Sequence, residues 1–464
     1  MTPSPRVHLV TLGCARNEVD SDELAARLAA DGWGLAERAA DADVVLVNTC
    51  GFIEAAKSES ISTVLDLSDD TPVVATGCLA ERYGAELAAE LPEAAAVVGF
   101  DHYPVIGQTL RSVLQGHPVA VHQPRDRRTL LPVTPVERPA AAGPLPGHGG
   151  ATGLGGPSAA LMRRRLTAGP VAPLKIASGC DRRCTFCAIP SFRGAFVSRP
   201  AADIVAEARV LIDDGVAEII LVSENSTAYG KDIPAAGGQD VLLRRLAEVD
   251  GLERIRVAYL QPAEIRPALL DAMADLAPVA PYFDISFQHA SAPLLRRMRR
   301  FGDAEAFLSL VDQIRQRAPH AGIRSNVIVG FPGETDEDLA VLCDFLGAAR
   351  LDAVGVFGYS DEDGTQAALL RDKVDPDEIA QRVAMVQELV DVVSAQRAAD
   401  RIGERTEVLV EQPGTGLFGR AAFQGPEDGG CSWAAGAAPG EVGRMLAVTV
   451  VGSDGADLLV AKES

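Results

Sequence analysis

Three cysteines crowd into Gly179-Cys-Asp-Arg-Arg-Cys-Thr-Phe-Cys187, a Cys-x3-Cys-x2-Cys spacing that packs three thiolates into one short loop. Such a loop can wrap three corners of a cubane. A 4Fe–4S cluster ordinarily takes four cysteines, so three leave one iron open for a small molecule to chelate. Zinc would want a fourth Cys or His close by, and the sequence places none beside Cys180, Cys184 and Cys187. The chemistry this loop points to is that of an iron–sulfur cluster with a free coordination site.

Cys14, Cys50 and Cys78 lie 36 and 28 positions apart, each just beyond a strand-like apolar run at residues 7–12, 44–47 and 73–75. Helical segments separate these runs: one to residue 30 capped by Ser21, one over 54–67 and one over 80–90. Apolar runs alternating with amphipathic segments predict a parallel sheet covered by helices. In an open α/β sheet the carboxyl ends of the strands share one edge, where ligands bind. The three cysteines either converge at that edge or are three separate core residues, since free cysteine is often buried.

The alternation resumes further on, with strand-like runs at 174–177, 218–222, 255–260, 283–287, 323–329 and 353–357. Helical stretches such as 202–213, 242–247, 305–317 and 336–348 intervene, and a long helix over 377–401 ends the series. Six βα units predict a partial or complete parallel barrel, whose chemistry sits at the carboxyl ends of its strands. Cys180 falls just beyond the first. Four short runs at 406–411, 416–422, 445–451 and 457–461, separated by Gly and Pro, predict a small antiparallel barrel. Between the first two regions, residues 124–173 are rich in Pro, Gly and Ala and read as a linker with no packed core. Its basic cluster Arg163-Arg-Arg165 reads as a solvated run. The expected division is 1–123 for the sheet domain, 124–173 for the linker, 174–401 for the barrel and 402–464 for the terminal domain.

A chain of 464 residues suits two to four domains, and 47% apolar with 23% charged residues is ordinary for a globular enzyme. No run of 18 apolar residues predicts a membrane span, and no signal-peptide pattern opens the chain. A cytoplasmic protein is expected, in which eight cysteines serve as metal ligands or buried thiols rather than disulfides. Forty-three basic against 64 acidic residues give a formal charge of −21. That balance disfavours general nucleic-acid binding unless a basic patch is segregated, and favours basic partners.

The Cys180–Cys187 spacing resembles that of the radical S-adenosylmethionine superfamily. The phrases Thr11-Leu-Gly-Cys-Ala-Arg-Asn17, Val47-Asn-Thr-Cys-Gly-Phe-Ile53 and Gly77-Cys-Leu-Ala-Glu-Arg-Tyr83 resemble the three cysteine motifs of its methylthiotransferase family. Gly194, Ser198-Arg-Pro200, Asp284-Ile-Ser-Phe-Gln-His289 and Val329-Gly-Phe-Pro-Gly-Glu334 extend the likeness along the barrel, and the last domain resembles a TRAM domain. The resemblance implies two 4Fe–4S clusters, an auxiliary one on Cys14, Cys50 and Cys78 and a radical one on Cys180, Cys184 and Cys187. It further implies two uses of S-adenosylmethionine, one to methylate a sulfur species and one to yield a 5′-deoxyadenosyl radical. A sulfur donor and an electron donor such as flavodoxin or ferredoxin would serve the reaction.

Two branches of the family modify either adenosines of transfer RNA or an aspartate of small-subunit ribosomal protein S12. The quoted cysteine phrases and Cys187-Ala-Ile-Pro-Ser191 look like the ribosomal-protein branch, whose product is 3-methylthioaspartate. Charge points the same way: residues 402–464 hold four Lys/Arg and nine Asp/Glu, 4 − 9 = −5. A tRNA-docking module should be basic, and one for a basic ribosomal protein acidic. The tRNA enzyme and a non-catalytic redox sensor are the alternatives. Glu224 and Asn225, in the loop after the second barrel strand, either contact S-adenosylmethionine or form a plain polar loop. Gly330, Pro332 and Gly333 serve backbone approach to that cofactor or a tight turn. His289 reads as a structural histidine and Cys343 as helix core, and Cys431 carries no assigned role. Where the branch usually has an Asp, this chain has Gln424, which leaves substrate docking there open.

Overall fold

The structure, a computed structural model, describes residues 4–141, 145–146, 148, 163–234, 237–433 and 436–463. Strands β1 (Arg6–Thr11), β2 (Gly34–Ala36), β3 (Val44–Thr49), β4 (Val73–Gly77) and β5 (Ala96–Val97) form one parallel sheet in the order β2-β1-β3-β4-β5. β3 lies at its centre and is buried along its whole length, as a continuous apolar run requires. Val44 and Leu46 pack on one face with Leu24 and Leu28 of helix α1 (Ala15–Ala30). Val45 and Val47 pack on the other with Val64 of α2 (Glu54–Ser68) and Leu79 of α3 (Cys78–Glu90).

Helix α1 differs from the expectation: it starts at Ala15, and Cys14, not Ser21, is its N-cap. Ser21 is buried inside the helix, where its hydroxyl accepts from Thr11 Oγ1 at 2.7 Å and from Asn48 Nδ2 at 2.9 Å. A polar sequence signal that reads as a cap is here a bond between helix and sheet.

The linker region also departs from its expected looseness. Arg127 and Arg138 are buried, and Arg163 pairs with Asp22 at 3.2 Å and Glu207 at 2.7 Å. Composition without periodicity hid these segments, because their order comes from single arginines reaching carboxylates of the flanking domains rather than from an apolar face. Residues 142–144, 147 and 149–162 of this region lie outside the described residues.

The barrel starts three residues earlier than expected, with β6 (Val171–Lys175). A short antiparallel pair, β7 (Ala177–Ser178) and β8 (Val197–Ser198), flanks the cysteine loop. Then follow β9 (Glu218–Val222), β10 (Arg254–Val257), β11 (Tyr282–Asp284), β12 (Gly322–Val329) and β13 (Ala353–Gly358). Parallel pairing gives two three-stranded arcs, β6-β9-β10 and β11-β12-β13. Isolated parallel bridges Ile255–Val279 and Leu260–Ile285 link the arcs, so six strands make an open barrel with free edges at β6 and β13. The N-terminal sheet spans that opening. On the β6 side, Lys175 Nζ donates to Asp20 of α1 at 2.5 Å. On the β13 side, Glu362 pairs with Lys57 at 2.9 Å and Arg82 at 3.0 Å.

The last domain is a closed five-stranded barrel of β14 (Arg405–Val410), β15 (Gly419–Ala421), β16 (Cys431–Ser432), β17 (Met445–Asp454) and β18 (Asp457–Lys462). Sequence reading anticipated antiparallel pairing throughout, yet β16, which it missed, pairs parallel with β18. Gln424 is buried in the loop after β15: its side chain accepts from Ala421 N–H at 3.0 Å and donates to Gly430 O at 3.3 Å. Cys431 Sγ donates to the Gln424 side-chain oxygen at 3.2 Å. The altered position thus holds a loop together.

That loop seats the small barrel on the amino ends of the large barrel's strands. Glu218, the first residue of β9, is fully buried among Arg254, Arg256 and Arg420, at 3.4, 2.9 and 3.3 Å. Burial opposes its charge, but the three guanidinium groups outweigh that and hold its pKa at about 2. A depressed acid stabilises the fold above its unfolded pKa and loses that contribution as pH falls toward the folded value. Glu218→Gln would leave three buried cations short of a counter-charge, a change that typically costs about 3–5 kcal/mol. The expected result is a lower urea midpoint at pH 7 and a flatter dependence of that midpoint on pH below 4.5. An unchanged midpoint would show that this cluster does not hold the domains together.

Candidate functional site

Cys14 caps α1 directly after β1, Cys50 follows β3, and Cys78 opens α3 directly after β4. The three adjacent carboxyl ends therefore bring the motifs to one sheet edge. Gly13 makes this possible: at φ +92° it turns the chain, and a Cβ there would lie 2.8 Å from Cys50 Sγ. Gly77 turns likewise at φ +93°, against the backbone of Thr49. Ser60 of α2 fixes Cys50 from behind, accepting its N–H and donating to its carbonyl, both at 2.9 Å. All eight cysteines are unbridged thiols.

The three thiols influence one another's charge. Burial raises the Cys50 pKa, and Cys14 adds to the rise. Burial pushes the Cys78 thiol up to about 11, with Cys14 and Cys50 contributing. Cys14 behaves oppositely: burial would raise its pKa, but Arg16 and Arg193 outweigh burial and hold it below the ordinary thiol value. Arg16 Nε donates to Cys14 Sγ at 3.4 Å. Arg193 donates to Cys78 Sγ at 3.0 Å, Asn17 Oδ1 at 2.8 Å and Asp20 at 2.6 Å.

Cys180, Cys184 and Cys187 occupy the loop beyond β6 and β7, where Cys180 N–H bonds Gly194 O at 3.1 Å. Burial pushes Cys180 well up, and Cys187 and Cys184 add to it. Burial pushes Cys187 to about 12, with Cys184 contributing and Arg16 and Arg300 opposing. Arg300 is buried and reaches Cys184 Sγ at 3.9 Å. Arg16 bonds Cys14 Sγ and, at 3.3 Å, Ser223 O just beyond β9, and it lies within electrostatic reach of Cys187, so it links the two triads.

The residues between the triads gather at the carboxyl ends of the barrel strands. Tyr259, beyond β10, holds φ +63°, a backbone strained for a non-glycine residue. Its ring takes the Arg16 guanidinium at 4.8 Å. Glu224 lies within electrostatic reach of Arg16, Arg193 and Cys180, and its buried Oε2 has no hydrogen-bond partner among the described residues. Asn225 instead donates to Glu264 at 3.1 Å, which also pairs with Arg182 of the cysteine loop at 2.7 Å.

Gly330, Pro332 and Gly333 form a tight turn after β12. Gly330 has φ +76° and faces Ile379; Gly333 has φ +80° and faces the Arg297 guanidinium. Glu334 closes the turn by accepting from Gly330 N–H at 2.9 Å. His289 is fully buried, accepts from Ser291 N–H at 3.0 Å, and is kept neutral by burial at a pKa of about 4. Cys343 packs against the barrel core.

Arg16, Arg193, Tyr259 and Arg300 were missed as site residues by sequence reasoning. Arg16 lies inside the quoted phrase Thr11–Asn17 and Arg193 directly precedes Gly194, which was the only available signal.

Each triad is purely thiol. A single tetrahedral ion would hold its sulfurs about 3.8 Å apart, and among the described residues no group of three or more His, Cys, Asp or Glu is gathered to hold one metal ion. Three thiols on separate turns at the sheet edge, and three on one loop at the barrel, are donors of the kind an iron–sulfur cluster takes.

The family model described as Uncharacterized protein family UPF0004 matches residues 6–99, and that of the Radical SAM superfamily matches residues 174–346. A solved structure of the radical S-adenosylmethionine methyltransferase TsrM from Kitasatospora setae superposes with a TM-score of 0.52 at 17% identity, over 78% of this chain and 77% of that one. Fold, site and the matched family model place the chain in the class of radical S-adenosylmethionine enzymes.

Curated relatives narrow the class. A protein of a Nocardioides species named ribosomal protein uS12 methylthiotransferase RimO is 58% identical over 97% of this chain and 96% of its own length. Its namesakes in Cutibacterium acnes and Streptomyces coelicolor are 57% and 55% identical, over 98% and 99% of this chain and 97% of each relative. The chain belongs to the RimO family of methylthiotransferases.

Proposed function

We propose that this enzyme adds a methylthio group to the β-carbon of an aspartate in ribosomal protein uS12, with Cys14, Cys50 and Cys78 holding an auxiliary 4Fe–4S cluster and Cys180, Cys184 and Cys187 a radical one. The observation that carries this reading is that two cations bind the domains together at the thiols: Arg16 reaches Cys14 Sγ and the barrel's Ser223 O, and Arg193, which follows the barrel cysteines, reaches Cys78 Sγ. When bound, the clusters and S-adenosylmethionine supply one-electron chemistry able to break an unactivated C–H bond, and a sulfur to place there. The chain's own residues do the rest. Six thiolates, three at each centre, would hold the two clusters. Arg16, braced on Tyr259, and Arg193 neutralise the thiolate charge between the centres. Glu224 offers one carboxylate free to accept a hydrogen bond from a ligand. The N-terminal sheet, laid over the open side of the barrel, excludes water from a site where a radical must not be quenched.

The overall charge of −21 and the terminal domain's −5 support a basic protein substrate. Because the small barrel sits at the amino ends of strands three to eight residues long, roughly 10–26 Å from their carboxyl ends, it would steer substrate from a distance. Residues 1–123 would carry sulfur transfer, 174–401 radical formation and 402–464 substrate docking. A sulfur donor and an electron carrier of the flavodoxin or ferredoxin type complete the reaction. Among the described residues no helix is long and apolar enough to cross a membrane, which agrees with work in the cytoplasm, where the substrate is made.

The test is mass spectrometry of ribosomal proteins from cells with and without this gene. A gain of one methylthio group on an aspartate of uS12, absent in the deletion strain, is expected. A methylthio group on tRNA instead would overturn the substrate assignment.

A further inference from the structure

One patch of the surface contradicts the charge of the molecule. Two segments lie against the barrel cysteine loop. Thr185 N–H donates to Met298 O at 3.1 Å and Thr185 Oγ1 to Arg297 O at 3.0 Å, while Ala367 N–H donates to Thr185 O at 2.8 Å. After the helix Ala292–Arg297, Arg299 adopts φ +55°. The turn sends Arg300 inward to Cys184 and leaves Arg296, Arg299 and Phe301 outside. Phe301 is 71% exposed and Leu369, on the second segment, 83%. Arg183, Arg296, Arg299 and Arg371 are exposed, and none has an ion-pair partner among the described residues. Asp372 is taken up by Arg297 at 3.1 Å. Beside Phe301 a cleft of about 270 Å³ is lined by Pro262, Ile265, Leu270, Phe307 and Leu310.

We infer that this face docks a small acidic one-electron carrier protein, which passes its electron to the centre held by Cys180, Cys184 and Cys187. An apolar middle rimmed by unpaired arginines is the composition of a protein interface. A local patch is required because the chain as a whole, at −21, repels an acidic partner. At physiological salt charges are screened beyond about 8 Å, so at contact the patch rather than the net charge decides. Position separates this reading from nucleic-acid binding: these segments hydrogen-bond the cysteine loop itself, and a phosphate-binding face has no need of that. In the step, the carrier is oxidised by one electron and the cluster beneath Cys184 is reduced by one, with no bond made or broken. The inference rests on the radical centre proposed above.

The experiment compares the cluster-loaded wild type with the double variant R296E/R299E. Cleavage of S-adenosylmethionine is measured with two reductants, dithionite and flavodoxin reduced to its hydroquinone, and binding of oxidised flavodoxin is measured at 25 and 200 mM salt. The expected result is cleavage unchanged with dithionite, with cleavage by flavodoxin slowed about tenfold, the scale of electrostatic steering. Binding should weaken in parallel and lose its salt dependence. Equal rates with both reductants and equal binding would overturn the docking face. Absence of cleavage by wild type with dithionite would instead refute the radical centre. Loss of ribosomal RNA binding with flavodoxin binding intact would assign the patch to nucleic acid and overturn the inference.

Discussion

Arg193→Gln should strip the auxiliary cluster from the N-terminal triad while the barrel centre stays loaded. Arg193 ends the short helix Ile189–Arg193 that follows the barrel cysteines, yet its guanidinium is spent on the other domain, on Cys78, Asn17 and Asp20. Asp20 is fully buried between Lys175 and Arg193. Removing one cation leaves a buried carboxylate half-compensated, a loss of about 3 kcal/mol. Asn17 also donates to Leu12 O and Thr49 O, at 2.9 and 3.2 Å, just before Cys14 and Cys50. Freed from Arg193, it no longer holds these turns in register. Bound iron and acid-labile sulfide should therefore fall by about half, the share of one cluster of two. Cleavage of S-adenosylmethionine should persist and methylthio transfer should fail. Arg193→Lys keeps the charge but not the fork of donors, so an intermediate iron content is expected. Full iron in Arg193→Gln would show that this residue does not position the triad.

The residues that bind were legible in the sequence, and the residues that hold them were not. Cys180, Cys184 and Cys187 announce themselves by local spacing. Cys14, Cys50 and Cys78 are separated by whole βα units, and only the rule that parallel strands end at one edge brings them together. The barrel strands read well because their apolar runs are long. β16 is two residues long and offered no period to read. Ser21 and Arg163 were misjudged for one reason: a polar residue in sequence is ordinarily exposed, and its burial depends on a partner that local pattern cannot show. Asp20 with Lys175, Arg82 with Glu362 and Glu218 with Arg420 span 155, 280 and 202 positions. Each joins two domains, so the assembly of the site was the least visible part of the sequence.

Cys184→Ala and Cys50→Ala should fail differently. Cys184 belongs to a loop fixed by the barrel, through Thr185 and Arg300. Cys50 is fixed by Ser60 and by the turn at Gly13, both within the sheet domain. Neither set of contacts depends on the other thiol, so each centre can be emptied alone. In Cys184→Ala, cleavage of S-adenosylmethionine should drop by ~10³-fold or more, the scale seen when an essential group is removed. The N-terminal cluster should retain its absorbance and its iron. Cys50→Ala should keep cleavage within about twofold of wild type and lose methylthio transfer by the same large factor. What couples the sites is Arg16, which lies within electrostatic reach of Cys14 and Cys187 alike. Emptying the N-terminal centre removes the negative charge on one side of Arg16 and leaves its full positive charge to the other. Electron paramagnetic resonance of the barrel cluster in Cys50→Ala should accordingly show a reduction potential shifted upward, because a nearby cation favours the more negative, reduced state. Loss of both clusters in either variant would mean that the triads form one folding unit and not two separate sites.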